Sequence, residues 1–214
     1  MSTSRDEILS RLRRVQPALG TIETEGGHLP VVPLGDLSGP GLLDRFVEQA
    51  RRLACEVHLP ATQAEAIQMI LDVLGEERRL LSWDFDQIPL PGLAAAFAAQ
   101  GIEATTRRDA AVRVGITGAD AALSATGSLV LLAGAGRPSL ASLLPPVHVA
   151  VIRQSQILPD LETWVASLRQ QGLDAFQDTA SAMIISGPSR TADIAMQLIL
   201  GMHGPGELHI IILS

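Results

Sequence analysis

Apolar positions recur at helical spacing before Arg79 and in short continuous runs after it. Ser4-Arg5-Asp6-Glu7 has the form of a capping box, and Ile8, Leu9 and Leu12 behind it make one helical face. Leu42, Leu43, Phe46, Val47, Ala50 and Leu53 mark a second helix. Thr62-Gln63-Ala64-Glu65 is a second capping box, followed by a stripe of Ile67, Ile70, Leu71 and Leu74. Residues 17–40 are rich in Gly and Pro without helical period and read as a linker arm. Strands are predicted at 80–83, 112–117, 128–132, 147–152, 182–186 and 208–213, with helices over 93–100 and 159–172. Asp160 is placed to cap the latter helix. Unbroken apolar strands suit sheets covered on both faces, which predicts a three-layer α/β domain over 42–214 behind an N-terminal helix and arm at 1–41.

Composition narrows the chemistry. The 214 residues contain no Lys, no Asn and no Tyr, so all 16 basic residues are Arg. A Walker phosphate loop, Schiff-base catalysis and a tyrosine acid are thereby excluded. The single Cys55 forms no internal disulfide and cannot ligate an iron–sulfur cluster by itself; within Leu-Ala-Cys-Glu-Val it reads as a buried small hydrophobe. The first residues lack an apolar signal core, and no apolar run reaches the roughly 18 residues of a membrane span, so a cytoplasmic protein is expected. A net charge of −7, with Arg pairs scattered among acids and few aromatic rings, argues against nucleic acid.

Four segments carry candidate chemistry. Thr126-Gly127-Ser128, after Gly115-Ile116-Thr117-Gly118-Ala119-Asp120, is either a pair of polar turns or a ligand loop. Gly134-Ala135-Gly136-Arg137-Pro138-Ser139 nearly matches a dinucleotide fingerprint. Ser139 replaces the third small residue, however, and Pro145-Pro146 cut the following helix short. Arg137 there is either a surface residue or a fork for a carboxylate or phosphate. Ser186-Gly187-Pro188-Ser189-Arg190-Thr191-Ala192-Asp193 follows a strand and is expected to open a helix. Ser189 would be its N-cap, Arg190 an anion ligand and Asp193 a base or an orienter of Arg190. His203, between Gly201-Met202 and Gly204-Pro205, is a second candidate for proton transfer. The histidines show no metal-ligand spacing, so neither metal nor cofactor is expected.

These segments, with Leu143-Leu144-Pro145-Pro146-Val147-His148 between them, resemble in order and wording the motifs of the LUD-domain family. The resemblance implies a NagB/RpiA/CoA-transferase-like fold with a mixed sheet. It also implies a part in bacterial oxidation of L-lactate to pyruvate, beside iron–sulfur lactate-utilisation proteins. This chain would then be a non-redox subunit binding a small anionic ligand such as lactate or a phosphate-bearing molecule. Thr126, Gly127, Ser128, Ser189, Arg190, Thr191, Asp193, His203 and Gly204 are the motif positions carried over. Ala125 and Ala195 stand where relatives often have acids. The fold's wider use suggests, as alternatives, a CoA-transferase or sugar-phosphate enzyme, or a purely structural partner of the iron–sulfur subunits.

Overall fold

The computed structural model describes residues 4–15, 35–170, 176, 179–192 and 198–214. Helix α1 spans Ser4–Val15, with Ile8 and Leu9 exposed; most of the predicted arm lies outside the described residues. Helix α2, Gly39–Arg52, is capped by Ser38, whose hydroxyl accepts the Gly41 N–H, and buries Leu42, Phe46, Val47 and Ala50. Helix α3, Gln63–Leu74, opens with a variant of its capping box: Thr62 accepts the Glu65 N–H, and the Glu65 carboxylate accepts the N–H of Ala61, one residue before the cap. No helix among the described residues is long and apolar enough to cross a membrane.

The remaining strands and helices alternate. They are β1 (Glu56–His58), β2 (Arg79–Ser82), α4 (Leu93–Ala99), β3 (Glu103–Thr105), β4 (Val114–Thr117), β5 (Ala121–Leu123) and β6 (Ser128–Gly134), then α5 (Leu140–Leu143) and β7 (Val147–Arg153). After these come β8 (Ile157–Leu158), α6 (Leu161–Gln170), β9 (Thr179–Ile185), β10 (Arg190–Ala192), β11 (Leu198–Leu200) and β12 (Glu207–Leu213). The α/β architecture expected from the pattern is present, with the pairing divided between two main sheets. A six-stranded sheet in the order β1-β12-β7-β4-β2-β3 is parallel throughout. The mixed pairing belongs to a second sheet, β8-β5-β6-β9, parallel between β8 and β5 and antiparallel elsewhere.

Strand β6 joins the layers. Its Leu129 and Leu131 enter the main core with the central sheet, α2, α3 and α4. Val130 and Leu132 face the other way, against Trp164 and Leu168 of α6. Period-two alternation with both sides apolar produces the unbroken run seen in the sequence. Asp160 caps α6 as predicted, accepting both the N–H and the hydroxyl of Thr163.

The helix start expected at Ser189 gives way to strand pairing. Arg190–Ala192 is a strand paired antiparallel with Leu198–Leu200, so Ser189 is not an N-cap. Its backbone is committed to extended pairing instead: the Ser189 N–H donates to Pro205 O at 2.8 Å and its carbonyl accepts the Gly201 N–H at 2.9 Å. A helix beginning there would need the Ser189 carbonyl for its own first turn, where it instead accepts from Gly201. The loop after β6 closes as a tight turn, with Gly134 and Arg137 exchanging backbone hydrogen bonds and Gly136 at φ +71. Only the single turn of α5 follows, too short for a dinucleotide crossover.

Candidate functional site

The segments 186–189 and 203–205 come together through the bonds that hold Ser189. Besides its two backbone contacts, the Ser189 hydroxyl faces the His203 N–H at 3.4 Å. Between the segments lies a cavity of about 210 Å³, bounded by α5 and the start of β7 and β12. This is below the roughly 300–1,000 Å³ of sites for drug-sized ligands, and so suits a small metabolite. Ser142, Ser186 and Ser189 supply hydroxyls, Gly187 and Gly204 supply backbone, and His203 stands exposed at the edge.

His148 lines this cavity and was not among the expected site residues. It is the second residue of β7, 1 % exposed, with Nε2 at 2.9 Å from the Thr117 hydroxyl. Its Nδ1 has no hydrogen-bond partner among the described residues. Burial pushes its pKa down to about 3, so the ring is neutral near pH 7. An unpaired buried nitrogen costs on the order of 1–3 kcal/mol, which a bound ligand or water would recover. The available signal was a lone histidine inside an apolar strand, preceded by Ser142 within the apolar run 140–144.

Other expected residues fall elsewhere. Thr126 and Ser128 form a hydroxyl chain ending at Ser186: Thr126 donates to Ser128 at 2.9 Å, and Ser128 lies 2.7 Å from Ser186. Gly127, at φ +69, packs against the backbone of Gln49 and Ala50 in α2, so the group approaching it closely is the protein itself. Gly187, at φ +89, is likewise set against Leu53, whose carbonyl would lie 2.7 Å from an added Cβ. Arg190 turns to the same carbonyl, donating to Leu53 O at 2.7 Å, and does not line the cavity. Thr191 is in β10. Asp193 and Ala195 lie outside the described residues. Cys55 is 5 % exposed within the main core, and burial raises its thiol to about 11, as a packing role requires.

Arg137 belongs to a separate cleft beyond the carboxyl ends of β2, β4 and β7. Asp120 binds its guanidinium at 2.8 Å, Gln87 accepts from Nε at 2.9 Å, and the Trp83 ring lies 5.2 Å away. The part of this cleft that reaches Arg153 measures about 440 Å³ and carries Asp86 and Asp120 against Arg137 and Arg153. Its charges balance, and among the described residues the lining of the cavity at His148 holds neither a carboxylate nor an Arg. Metal donors converge on the other face of β12, where strand pairing joins Glu56 and His58 to His209, a grouping the sequence spacing did not foretell.

"Lactate utilization protein C" of Halalkalibacterium halodurans is 27% identical over 179 residues, covering 78% of this chain and 77% of the relative. The protein of that name from Shouchella clausii is 26% identical over 214 residues, covering 94% and 91%. The crystal structure of a DUF162 family protein from Deinococcus radiodurans shares the fold with a TM-score of 0.60 and 23% identity. It covers 84% of this chain and 100% of its own. Residues 43–213 match the model of the LUD domain, and the chain belongs to that family.

Proposed function

We propose that the protein takes part in bacterial L-lactate utilisation as a non-redox component that binds a small carboxylate in the cavity at His148. The observation that carries this reading is the convergence of two family motifs, Ser186–Ser189 and His203–Pro205, on a cavity lined by three serines and, among the described residues, by no acid. Its relatives' name supplies the process and, with it, the class of ligand, a small carboxylate. In this reading the Ser186 and Ser189 hydroxyls donate to the carboxylate, and neutral His148 meets the ligand's hydroxyl through Nδ1. His203 exchanges protons with solvent at the rim. Electron transfer falls to iron–sulfur lactate-utilisation proteins, because one buried cysteine cannot ligate a cluster.

Growth on L-lactate as sole carbon source tests the role. A deletion strain is expected to fail, and to be restored by wild type but not by Ser189→Ala or His148→Gln. Normal growth of a deletion strain holding no second copy would remove lactate utilisation from the reading. Titrating the purified chain with L-lactate, pyruvate and inorganic phosphate tests the ligand separately. Saturable binding of L-lactate or pyruvate lost in Ser189→Ala supports the cavity, and no binding of either overturns it. Arg190→Ala distinguishes the two anion sites: with Arg190 turned to Leu53, binding is expected to stay within about threefold of wild type.

A further inference from the structure

We propose that Glu56, His58 and His209 form a site for one divalent transition-metal ion of the zinc class, which clips edge strand β1 to β12. Alternation places Glu56 and His58 on one face of β1, two residues apart. Parallel pairing sets Glu56 directly opposite His209, so two donors of β1 share one patch with a third that lies 151 residues beyond His58. His58 Nε2 lies 3.2 Å from His209 Nδ1, and Glu56 Oε2 lies 3.5 Å from the same nitrogen. Two donors bound tetrahedrally at zinc distances stand roughly 3.3 Å apart, which both separations approximate. All three donor atoms lie within 4.8 Å of one another. A carboxylate with two imidazoles is a borderline donor set that selects zinc-like ions over calcium or magnesium.

The surroundings supply what such a site needs beyond its ligands. The second nitrogen of His209, Nε2, has Glu207 Oε2 at 3.8 Å, where a small rotation makes the carboxylate–histidine contact that orients a metal-binding ring. His209 is 7 % exposed and held by the sheet, while Glu56 is largely exposed, leaving an entry path from solvent. Three protein ligands leave one position for water. The site is distinct from the cavity: His148 pairs with Leu208, which lines the cavity, and His209 pairs with Val149 on the opposite face. The ion therefore ties β1 to its neighbour and takes no part in binding the carboxylate.

The test uses the full chain without a histidine tag, stripped with a chelator and titrated with ZnCl2 by calorimetry, with Co2+ as a spectroscopic probe. About one equivalent of Zn2+ is expected, together with a rise in the thermal midpoint. Co2+ should give the intense visible bands of a four-coordinate site. Loss of a protein donor in Glu56→Gln or His58→Ala is expected to weaken Zn2+ binding by at least ~10-fold and cancel the thermal shift. Glu56 is exposed, so Glu56→Gln keeps the fold and decides the matter if His58→Ala is unstable. No uptake of Zn2+ by the wild type, or uptake undiminished in Glu56→Gln, overturns the proposal. The two imidazoles would then share only a hydrogen bond.

Discussion

His148 concentrates the physical problem of this site in one side chain. Folded, its ring stays neutral until pH falls to about 3; unfolded, it protonates near 6.5. Between those values the unfolded chain binds the extra proton, so stability rises with pH across the window and is lost as pH falls through it. One such group contributes a slope of about 1.4 kcal/mol per pH unit. Urea unfolding of wild type and His148→Gln at pH 6, 5 and 4 reads this directly. The wild type is expected to lose stability faster than the variant, by roughly that amount per unit. Parallel curves would mean that the folded ring accepts a proton, contrary to its complete burial.

Elements with strong local signals were legible in the sequence. The Thr62 capping box, the Asp160 cap and the apolar runs of β6, β7 and β12 depend on near neighbours or on burial from both faces. Short strands such as β1, β3 and β8 carry two or three residues each, too few for a period, and exist because longer strands offer them an edge. The 186–193 segment misled for a related reason. Its glycine, proline and serine are those of a helix start, yet its partners lie ahead in the 198–205 segment, and non-local pairing overrode the local signal. Among the site candidates, residue type alone could not separate a glycine that admits a ligand from one that admits α2. Gly127→Ala makes that distinction measurable. Positive φ and the backbone of Ala50 together should cost at least about 2 kcal/mol in urea unfolding. A variant with wild-type stability but no growth on L-lactate would return Gly127 to the binding site.

At the scale of the whole molecule, the two main sheets are built from different strands and have separate cores joined through the side chains of β6, and the question is whether they unfold together. The main cluster holds Trp83, 2 % exposed under Arg137. The outer cluster holds Trp164, 8 % exposed and edge-on to Phe176 at 6.2 Å. With two tryptophans in the chain, each reports one layer. Strand β6 puts alternate side chains into both clusters, so separating the layers would expose Leu129 and Leu131 on one side or Val130 and Leu132 on the other. Each such leucine or valine is worth about 1.5–3 kcal/mol of burial, enough to couple the layers against independent opening. Trp83→Phe and Trp164→Phe are therefore each expected to show one fluorescence transition in urea, coincident with that variant's own circular-dichroism transition. If Trp164 changes before the circular dichroism in Trp83→Phe, the outer layer opens alone. The cavity's serine at position 186, which continues from β9 of that layer, would then be set by a mobile part of the fold rather than a rigid one.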